Sequence, residues 1–180
     1  RNLYNGILAQ QNAETGMIAY FLPLRAGSTK KWGTPRHDFW CCHGSLVQAH
    51  TLYADHVVFE DTEGLVLTQY IPSELSWSRN GATVKLTLCK DTLQAETRRP
   101  QHWAFDLDVV SDQPRTFTLK LRLPWWLSGK ARITVNGQRQ EFSNGPSTLA
   151  SLSRTWHKDT VHIELPKQLT TCPLPDEPDT

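Results

Sequence analysis

The feature that most restricts the fold is a regular succession of strand-like runs and turn signals that starts near Val58. The turn signals are Glu63-Gly64, Asn80-Gly81, Asn136-Gly137 and Asn144-Gly145. They separate apolar or alternating runs at roughly 8–12-residue spacing, which is typical of a β-sandwich. The runs predicted as strands are Leu65–Tyr70, Thr83–Cys89, Trp103–Val109, Thr116–Leu123, Ala131–Val135 and Thr160–Leu165. The sequence therefore predicts a mainly β chain, with a β-sandwich domain over residues 58–170.

Two of these stretches predict local structure in more detail. Asn-Gly supplies the two positive-φ positions of a type I′ turn, so Val135–Gln138 is predicted to be a tight hairpin. Residues Thr116–Leu123 alternate strictly between apolar and polar side chains, so one face of that strand is expected to be buried.

Residues 1–57 follow a different pattern. Residues 1–10 resemble the end of a helix, Gly16–Leu24 is predicted to be extended, and a helix is predicted over Leu46–Val58 with Ser45 as its N-cap. A segment of this size is too small to bury a core alone. Because the chain also starts at Arg1 rather than at methionine, we expect it to be a piece of a longer protein and to pack on the missing part. The Pro-rich, acidic residues 171–180 are expected to form a linker or tail.

The stretch with the most distinctive chemistry is His37–Ser45, which holds two adjacent cysteines, two histidines and an aspartate. Adjacent cysteines rarely bond to each other, because ring closure forces a strained geometry. Cys41 and Cys42 are therefore interpreted as soft ligands for one metal, or as a reactive thiol beside a ligand. Free cysteines are also common as small buried hydrophobes, and the pair alone leaves both interpretations open. A helix that starts just after Cys42 would direct backbone N–H groups toward the thiols and favour their ionised form.

Charge and hydropathy argue against two classes of partner. With 19 basic and 18 acidic residues the formal net charge is +1, so neither nucleic acid nor an anionic membrane is predicted as a partner. No apolar run approaches the ~20 residues that span a bilayer. The four cysteines have no disulfide-framework spacing, which favours a reducing compartment and a cytoplasmic location. Some of the seven tryptophans could stack on sugars; Trp125-Trp126 is either such a platform or packing at a domain interface.

Six short motifs then occur in the order of a known family. They are Leu3-Tyr4-Asn5, Tyr20-Phe21-Leu22-Pro23-Leu24 following Gly16, Phe39-Trp40-Cys41-Cys42, Leu121-Arg122-Leu123-Pro124-Trp125-Trp126, Val135-Asn136-Gly137 and Arg154-Thr155-Trp156. Over nearly all of its length the chain resembles the bacterial β-L-arabinofuranosidases of glycoside hydrolase family 127 and their close relatives. The resemblance implies an (α/α)6 barrel that holds the active site, followed by β-sandwich domains. Residues 1–57 would then be the last helices of that barrel, whose remainder this chain lacks.

The resemblance also implies a chemistry. In that family a zinc-bound cysteine replaces the usual carboxylate nucleophile of a retaining glycoside hydrolase. By position, Cys41 corresponds to the zinc-bound nucleophile, Cys42 to a zinc ligand, and Tyr20 to an active-site tyrosine that hydrogen-bonds near the nucleophile. The general acid, a further substrate-contacting glutamate and the other two zinc ligands, a glutamate and a cysteine, would lie upstream of Arg1. The implied partners are a carbohydrate substrate and the missing N-terminal part of the same protein, and a homodimer is left open.

One departure from the family affects the sugar. The better-known arabinofuranosidases have Cys-Cys-Pro-Pro-Asn where this chain has Cys41-Cys42-His43-Gly44-Ser45. A Cys-Cys-x-Gly form occurs in related families of the same fold that act on other furanosides. The expected substrate is therefore a β-L-arabinofuranoside or a related furanoside. His43 is a candidate to contact sugar hydroxyls, and its alternative role is to cap the helix.

Three functional hypotheses follow. The first is a zinc- and cysteine-dependent retaining glycosidase, of which this chain would be an incomplete and inactive part. The second is a non-catalytic carbohydrate-binding β-sandwich module, which predicts glycan affinity from residues 58–170 alone. The third is a structural zinc site at Cys41 and Cys42, which predicts that Cys41→Ser unfolds the protein.

Overall fold

The computed structural model of the protein describes residues 7–90, 102–143 and 145–171. It divides into two compact units, Arg1–Asp55 and His56–Thr180, which are called unit 1 and unit 2 below. In the described residues no helix is both long enough and apolar enough to cross a lipid bilayer. The predicted tail lies outside the described residues from Cys172 onward, and so does Asn144 of one predicted turn.

Unit 2 is built from strands, and this confirms the prediction of a mainly β chain. Its described strands are β1 Val58–Glu60, β2 Gly64–Leu67, β3 Ser73–Arg79, β4 Ala82–Lys90, β5 His102–Leu123, β6 Arg132–Val135, β7 Gln138–Arg139 and β8 Thr148–Pro166. The turn at Asn136-Gly137 joins β6 to β7 with φ angles of 51° and 79°, as a type I′ hairpin requires. The same signal joins β3 to β4, where Asn80 and Gly81 have φ angles of 50° and 76°.

The sheet is organised around the long antiparallel pair β5–β8. The first half of β5 pairs with β4, and its second half pairs in parallel with β2. β8 follows β5 along both halves, and β6 pairs with the C-terminal end of β8. The register shifts between Val110 and Arg115, at the junction of the two halves. An irregularity of this kind bends a strand and lets it pass from one layer to another.

The two halves of the sheet face each other across one core. Trp77 on β3 packs edge-on against Phe117 on the second half of β5, with ring centroids 5.2 Å apart. Tyr70 stacks on Phe105 at 5.2 Å, and its hydroxyl donates a hydrogen bond of 2.9 Å to the carbonyl oxygen of Arg122. Phe105 and Arg122 lie in opposite halves of β5. The sandwich is therefore one bent sheet whose two long strands are shared by both layers.

Strand boundaries differ from the prediction in two ways. The runs Trp103–Val109 and Thr116–Leu123, predicted as separate strands, are parts of the single strand β5, because the backbone stays extended across the register shift. The run Thr160–Leu165 is likewise only the second half of β8. Strands β1 and β3 were not predicted. In β3 the side chains are mostly polar and only Trp77 is buried, so the strand has little apolar alternation.

Unit 1 has less regular structure in its described part. Its first element is a 3-10 helix, Leu8–Gln10, followed by an isolated antiparallel bridge between Gln11 and Ile18. Most of the helix end predicted over residues 1–10 lies outside the described residues. In the turn of the bridge, the Asn12 carboxamide oxygen accepts hydrogen bonds of 2.9 Å from the backbone N–H groups of Glu14 and Thr15. The segment that leads to Tyr20 is therefore a small hairpin.

The helix of unit 1 corrects the predicted boundaries. Helix α1 spans Cys41–Leu52, so the predicted start at Leu46 and end at Val58 are both wrong. Ser45 lies inside the helix and is not its N-cap, and Val58 is the first residue of β1. As a result the cysteine pair lies within the first turn of the helix, and not in the loop before it.

Candidate active site

Helix α1 begins at the cysteine pair, where the His43 side chain caps the backbone of Trp40. Trp40 has an extended backbone, with φ −108° and ψ 171°, and its carbonyl oxygen accepts a hydrogen bond of 2.9 Å from the His43 N–H. In return, the Trp40 N–H donates a hydrogen bond of 2.8 Å to Nδ1 of the His43 ring. This is one half of a capping box, with an imidazole in the place of the usual Glu or Gln; the Trp40 side chain makes no capping hydrogen bond. Cys41 and Cys42 therefore lie at the positive end of the helix dipole.

His43 is held firmly in this position. Its side chain is only 3% exposed, and its ring stacks near those of Phe39 and Trp40, with centroids 5.7 and 5.4 Å away. Because Nδ1 accepts a hydrogen bond, the proton of the neutral ring lies on Nε2. Nε2 is buried and has no partner among the described residues. The structure thus places His43 in the capping role and leaves one ring donor for another group.

The side chains of Cys41, Cys42 and Tyr20 lie close together in unit 1, and this cluster is called the chemical centre below. Sγ of Cys41 lies 3.7 Å from Sγ of Cys42, and Sγ of Cys42 lies 3.6 Å from the Tyr20 hydroxyl. The hydrogen bond with Cys42, together with the nearby charges of Cys42 and Cys41, raises the pKa of Tyr20 to about 12. The phenol is therefore protonated at neutral pH and can donate a hydrogen bond to a thiolate.

Tyr20 is positioned by the hairpin and by aromatic neighbours. The preceding residue, Ala19, is buried, and its N–H donates a hydrogen bond of 2.9 Å to the Gln10 carbonyl oxygen. The Tyr20 ring lies 5.0 Å from Trp40 and 5.4 Å from His43, centroid to centroid. The hairpin and the start of α1 thereby fix the hydroxyl beside Cys42. Of the residues predicted from the sequence, Tyr20, Cys41, Cys42 and His43 all lie together.

The cysteine pair fits two positions of a zinc site. Two thiolates bound to one tetrahedral zinc, with Zn–S distances of about 2.3 Å, would lie about 3.8 Å apart. The observed separation of 3.7 Å agrees with this geometry, and thiolates are ligands that zinc favours. Within the described ranges, no group of three or more His, Cys, Asp or Glu side chains is arranged to hold a metal ion. In the described part of the chain, Cys41 and Cys42 are the two candidate ligands.

A cavity of about 300 Å³ opens beside Cys42 in unit 1. Its polar lining comes from Gln10, Tyr20, Cys42 and Ser45, and its remaining lining is apolar or backbone. Neither Gln10 nor a site role for Ser45 was predicted from the sequence. Ser45 reaches the cavity because α1 starts earlier than predicted. Gln10 stands in a polar run with Gln11 and Asn12, where no periodic pattern distinguishes it.

The two residues of the Trp125-Trp126 pair in unit 2 have different surroundings. Trp126 packs edge-on against Trp103, with ring centroids 5.4 Å apart and an interplanar angle of 86°. Lys167 places its ammonium group 5.2 Å from the centre of the Trp103 ring. Trp125 is exposed to 60%. Cys89 is exposed on β4 in unit 2 and takes no part in the centre described above.

Comparison with protein families gives two matches along the chain. Residues 1–55 match the model of the β-L-arabinofuranosidase GH127 catalytic domain, and residues 64–167 match that of the β-L-arabinofuranosidase GH127 middle domain. The first range contains the cysteine pair and Tyr20, and the second contains almost the whole sheet. No match was found among curated proteins.

Solved structures agree with the family models. A GH127 β-L-arabinofuranosidase from Geobacillus stearothermophilus T6 superposes with a TM-score of 0.58 and 25% identity, covering 70% of this chain and 19% of that one. A chain described as a glycoside hydrolase gives a TM-score of 0.62 and 23% identity over 89% of this chain and 27% of its own. A GH127 β-arabinofuranosidase gives a TM-score of 0.70 and 21% identity, covering 91% of this chain and 27% of that one. The last two likenesses concern the fold alone. The chain spans between 19% and 27% of the length of these structures.

Proposed function

The chain belongs to the GH127 family of β-L-arabinofuranosidases, and from this premise we propose that the full-length protein is a retaining glycoside hydrolase with Cys41 as its nucleophile. The proposed substrates are β-L-arabinofuranosides or related furanosides. The observation that carries the proposal is the arrangement of two sulfur atoms 3.7 Å apart, in the first turn of a helix, beside a tyrosine hydroxyl. This centre lies in the part of the chain that matches the catalytic-domain model.

We assign Cys41 and Cys42 as two ligands of a zinc ion. When bound, the ion would keep both thiols deprotonated at neutral pH. The remaining ligands are proposed to come from parts of the protein outside these residues. The fit of the two sulfur atoms to a tetrahedral geometry supports this assignment.

Cys41 is proposed to attack the anomeric carbon of the sugar. A carbon–sulfur bond forms as the glycosidic carbon–oxygen bond breaks, and a general acid protonates the leaving oxygen. Water then attacks the same carbon and gives its proton to the deprotonated general acid, the carbon–sulfur bond breaks, and both the Cys41 thiolate and the acid are regenerated. Two displacements restore the original anomeric configuration. We assign the general acid to no residue of this chain, and propose a glutamate elsewhere in the protein.

Tyr20 and His43 are proposed to complete the substrate side of the centre. A Cys42 thiolate cannot donate, so the Tyr20 hydroxyl, 3.6 Å from its sulfur, would then donate a hydrogen bond to it and hold the pair in orientation. His43 would keep the helix start in place through Nδ1, while its unpartnered Nε2–H is the group available to a sugar hydroxyl. The two roles that the sequence left open for His43 use different ring nitrogens, so they are compatible.

Elemental analysis of the purified full-length protein tests the proposal, with Cys42→Ser beside wild type. We expect about one zinc per chain in wild type and loss of zinc in the variant, because one thiolate ligand is gone. Cys89→Ser is the matched control and should retain the metal, since Cys89 is exposed on a strand of unit 2. Absence of zinc from wild type would contradict the mechanism.

The alternatives give other results. A structural zinc site predicts that Cys41→Ser lowers the melting temperature sharply, because ligand loss then removes folding free energy. A carbohydrate-binding module predicts that residues 58–170 alone bind glycans in affinity electrophoresis. It also predicts that Cys41→Ser leaves every activity of the protein unchanged.

A further inference from the structure

We propose that Gln10 is a specificity-determining residue that accepts a hydrogen bond from one hydroxyl group of the bound sugar. The inference rests on the proposed function and adds a contact to it. Gln10 is 6% exposed, and its side-chain oxygen Oε1 is buried with no hydrogen-bond partner in the part of the chain that the structure describes. It is one of two polar residues of unit 1 that are buried there, the other being His43.

A buried amide oxygen without a partner is unusual. More than nine in ten buried polar groups in proteins are hydrogen-bonded, because an unpaired one loses its hydration without compensation. A folded protein keeps such a group where a ligand or another group completes its hydrogen bonding. Oε1 accepts hydrogen bonds and cannot donate them, so its missing partner must bring a donor.

The position of Gln10 identifies the source of that donor. Gln10 lines the same cavity of about 300 Å³ as Tyr20 and Cys42, at the lower end of the size range for small-molecule sites. The Tyr20 oxygen accepts the hydrogen bond from the Cys42 thiol, and neither Tyr20 nor any other described group donates a hydrogen bond to Oε1 of Gln10. A sugar bound in this cavity would lie against Cys42 and would bring several hydroxyl groups, each of which can donate.

A backbone hydrogen bond fixes the position of Gln10 relative to Tyr20. Its carbonyl oxygen accepts the hydrogen bond from the Ala19 N–H, one residue before Tyr20. Gln10 is also the last residue of the 3-10 helix Leu8–Gln10. The side chain is thus attached to the hairpin that positions Tyr20, and a sugar bound by Gln10 is fixed relative to the sulfur atoms. An acceptor at a fixed position selects for a hydroxyl at one ring carbon.

The test uses the full-length protein and p-nitrophenyl β-L-arabinofuranoside with its 2-, 3- and 5-deoxy analogues. Gln10→Met removes the acceptor at similar side-chain length, and Gln10→Glu keeps it. Gln11→Met is the matched control, because Gln11 is the exposed neighbour. We expect Gln10→Met to raise KM about tenfold with kcat little changed, as for the loss of one neutral hydrogen bond. Gln10→Glu should lie nearer to wild type, and Gln11→Met should equal it.

The deoxy analogues separate a sugar contact from a structural role. With wild type, kcat/KM for one analogue should be about tenfold lower than for the parent substrate. With Gln10→Met, kcat/KM for that analogue and for the parent substrate should be equal, because both changes remove the same hydrogen bond. If every analogue loses equally with both proteins, or if Gln10→Met keeps the wild-type KM, the inference is wrong while the proposed function stands. If wild type hydrolyses none of these substrates, the proposed function fails and this inference fails with it. Should Gln10→Met not fold, a Gln10→Glu protein with wild-type preference among the analogues supports the contact, and one with no preference overturns it.

Discussion

The two units of this chain bury opposite kinds of residue. In unit 2 the core is apolar, and side chains such as Leu119, Trp156 and Ile163 are fully buried. In the described part of unit 1, Ala19 is the one buried apolar side chain, whereas Gln10 and His43 are buried and polar. The large apolar side chains exposed in unit 1 are Phe21, Leu22, Leu24, Phe39, Trp40, Val47 and Leu52.

This difference separates stability from chemistry. Unit 2 has the composition of a self-sufficient core, in which packing supplies the free energy of folding. Unit 1 places its buried polar groups next to the cysteine pair and leaves an apolar surface of the kind that proteins normally cover. Substitutions in unit 2 should therefore act on stability, and substitutions around Cys41 should act on activity.

The largest effect is expected from Cys41→Ser. Loss of the nucleophile should lower kcat/KM for p-nitrophenyl β-L-arabinofuranoside by about 10⁴-fold, since a serine hydroxyl is a far weaker nucleophile than a thiolate. Steady-state kinetics of the full-length protein measure the loss. The control Cys89→Ser should retain wild-type activity, because Cys89 lies on the surface of unit 2. Equal losses in the two variants would break the distinction between the units.

Trp156→Ala should produce the largest loss of stability. The Trp156 ring is fully buried against Phe117, and its Nε1–H donates a hydrogen bond of 3.0 Å to the Phe117 carbonyl oxygen. Truncation of such a residue costs about 3–5 kcal/mol. Urea unfolding followed by circular dichroism gives the change in the free energy of unfolding. Trp125→Ala, at an exposed position, should cost less than about 1 kcal/mol, and a similar cost at both sites would contradict the assigned core.

Gly64→Ala should destabilise unit 2 by steric conflict. A Cβ atom at Gly64 would lie 2.3 Å from the carbonyl oxygen of Thr118, on the strand that pairs in parallel with β2. Because the obstacle is backbone, we expect a cost of about 3 kcal/mol. Gly81→Ala is the comparison, since its Cβ meets open space and only its positive φ of 76° is unfavourable, at about 1 kcal/mol. Chemical denaturation ranks the two, and the reverse order would refute the close approach of β2 to β5.

The smallest effect is a pH dependence in unit 2. Burial lowers the pKa of His162, but the hydrogen bond between its Nδ1 and Asp106, at 2.7 Å, and the carboxylate of Glu164 outweigh burial and leave the pKa raised. The charged ring therefore stabilises the fold fully below the ordinary histidine pKa of about 6.5, and this stabilisation is lost as pH rises through the raised value. We expect the pair of His162 and Asp106 to stabilise the fold by about 0.2–1 kcal/mol, since both side chains are partly exposed.

Melting temperatures between pH 5 and 9 measure that effect. Wild type should lose a little stability across the raised pKa of His162. Asp106→Asn should flatten this part of the curve, because the partner charge is gone. An Asp106→Asn curve parallel to that of wild type would show that the pair does not stabilise the sheet.

The sequence predicted strands well where burial alternates within a short run. Thr116–Leu123 was identified because Phe117, Leu119, Leu121 and Leu123 all face the core, a signal that is local. The continuity of β5 through Val110 and Arg115 was not predicted, because it depends on pairing with β8, which is distant in sequence. Mostly polar strands such as β3 are stabilised by their partners and have little pattern of their own.

Some residues of the candidate site could be predicted from the sequence and others could not, again because only some have a local signal. The vicinal cysteines are conspicuous in any sequence, and the family resemblance added Tyr20. The helix start was misplaced, because Trp40 is not a common N-cap residue and the cap is completed by the His43 ring. Gln10 was missed because its importance comes from burial beside the cavity, and burial of a single polar residue leaves no trace in the sequence.

The sharing of β5 and β8 by both layers bears on how unit 2 folds. Gly64 on β2 pairs with Thr118, and Thr118 pairs with Ser153, so the first layer joins residues from the beginning, middle and end of the unit. Non-local pairings of this kind require the chain to lose loop-closure entropy before the stabilising contacts form. Such topologies therefore fold in milliseconds to seconds rather than microseconds. During synthesis, β2 must wait for β5, and β5 for β8, before either layer can close. Unit 2 is therefore expected to form as one cooperative event, after β8 has emerged from the ribosome.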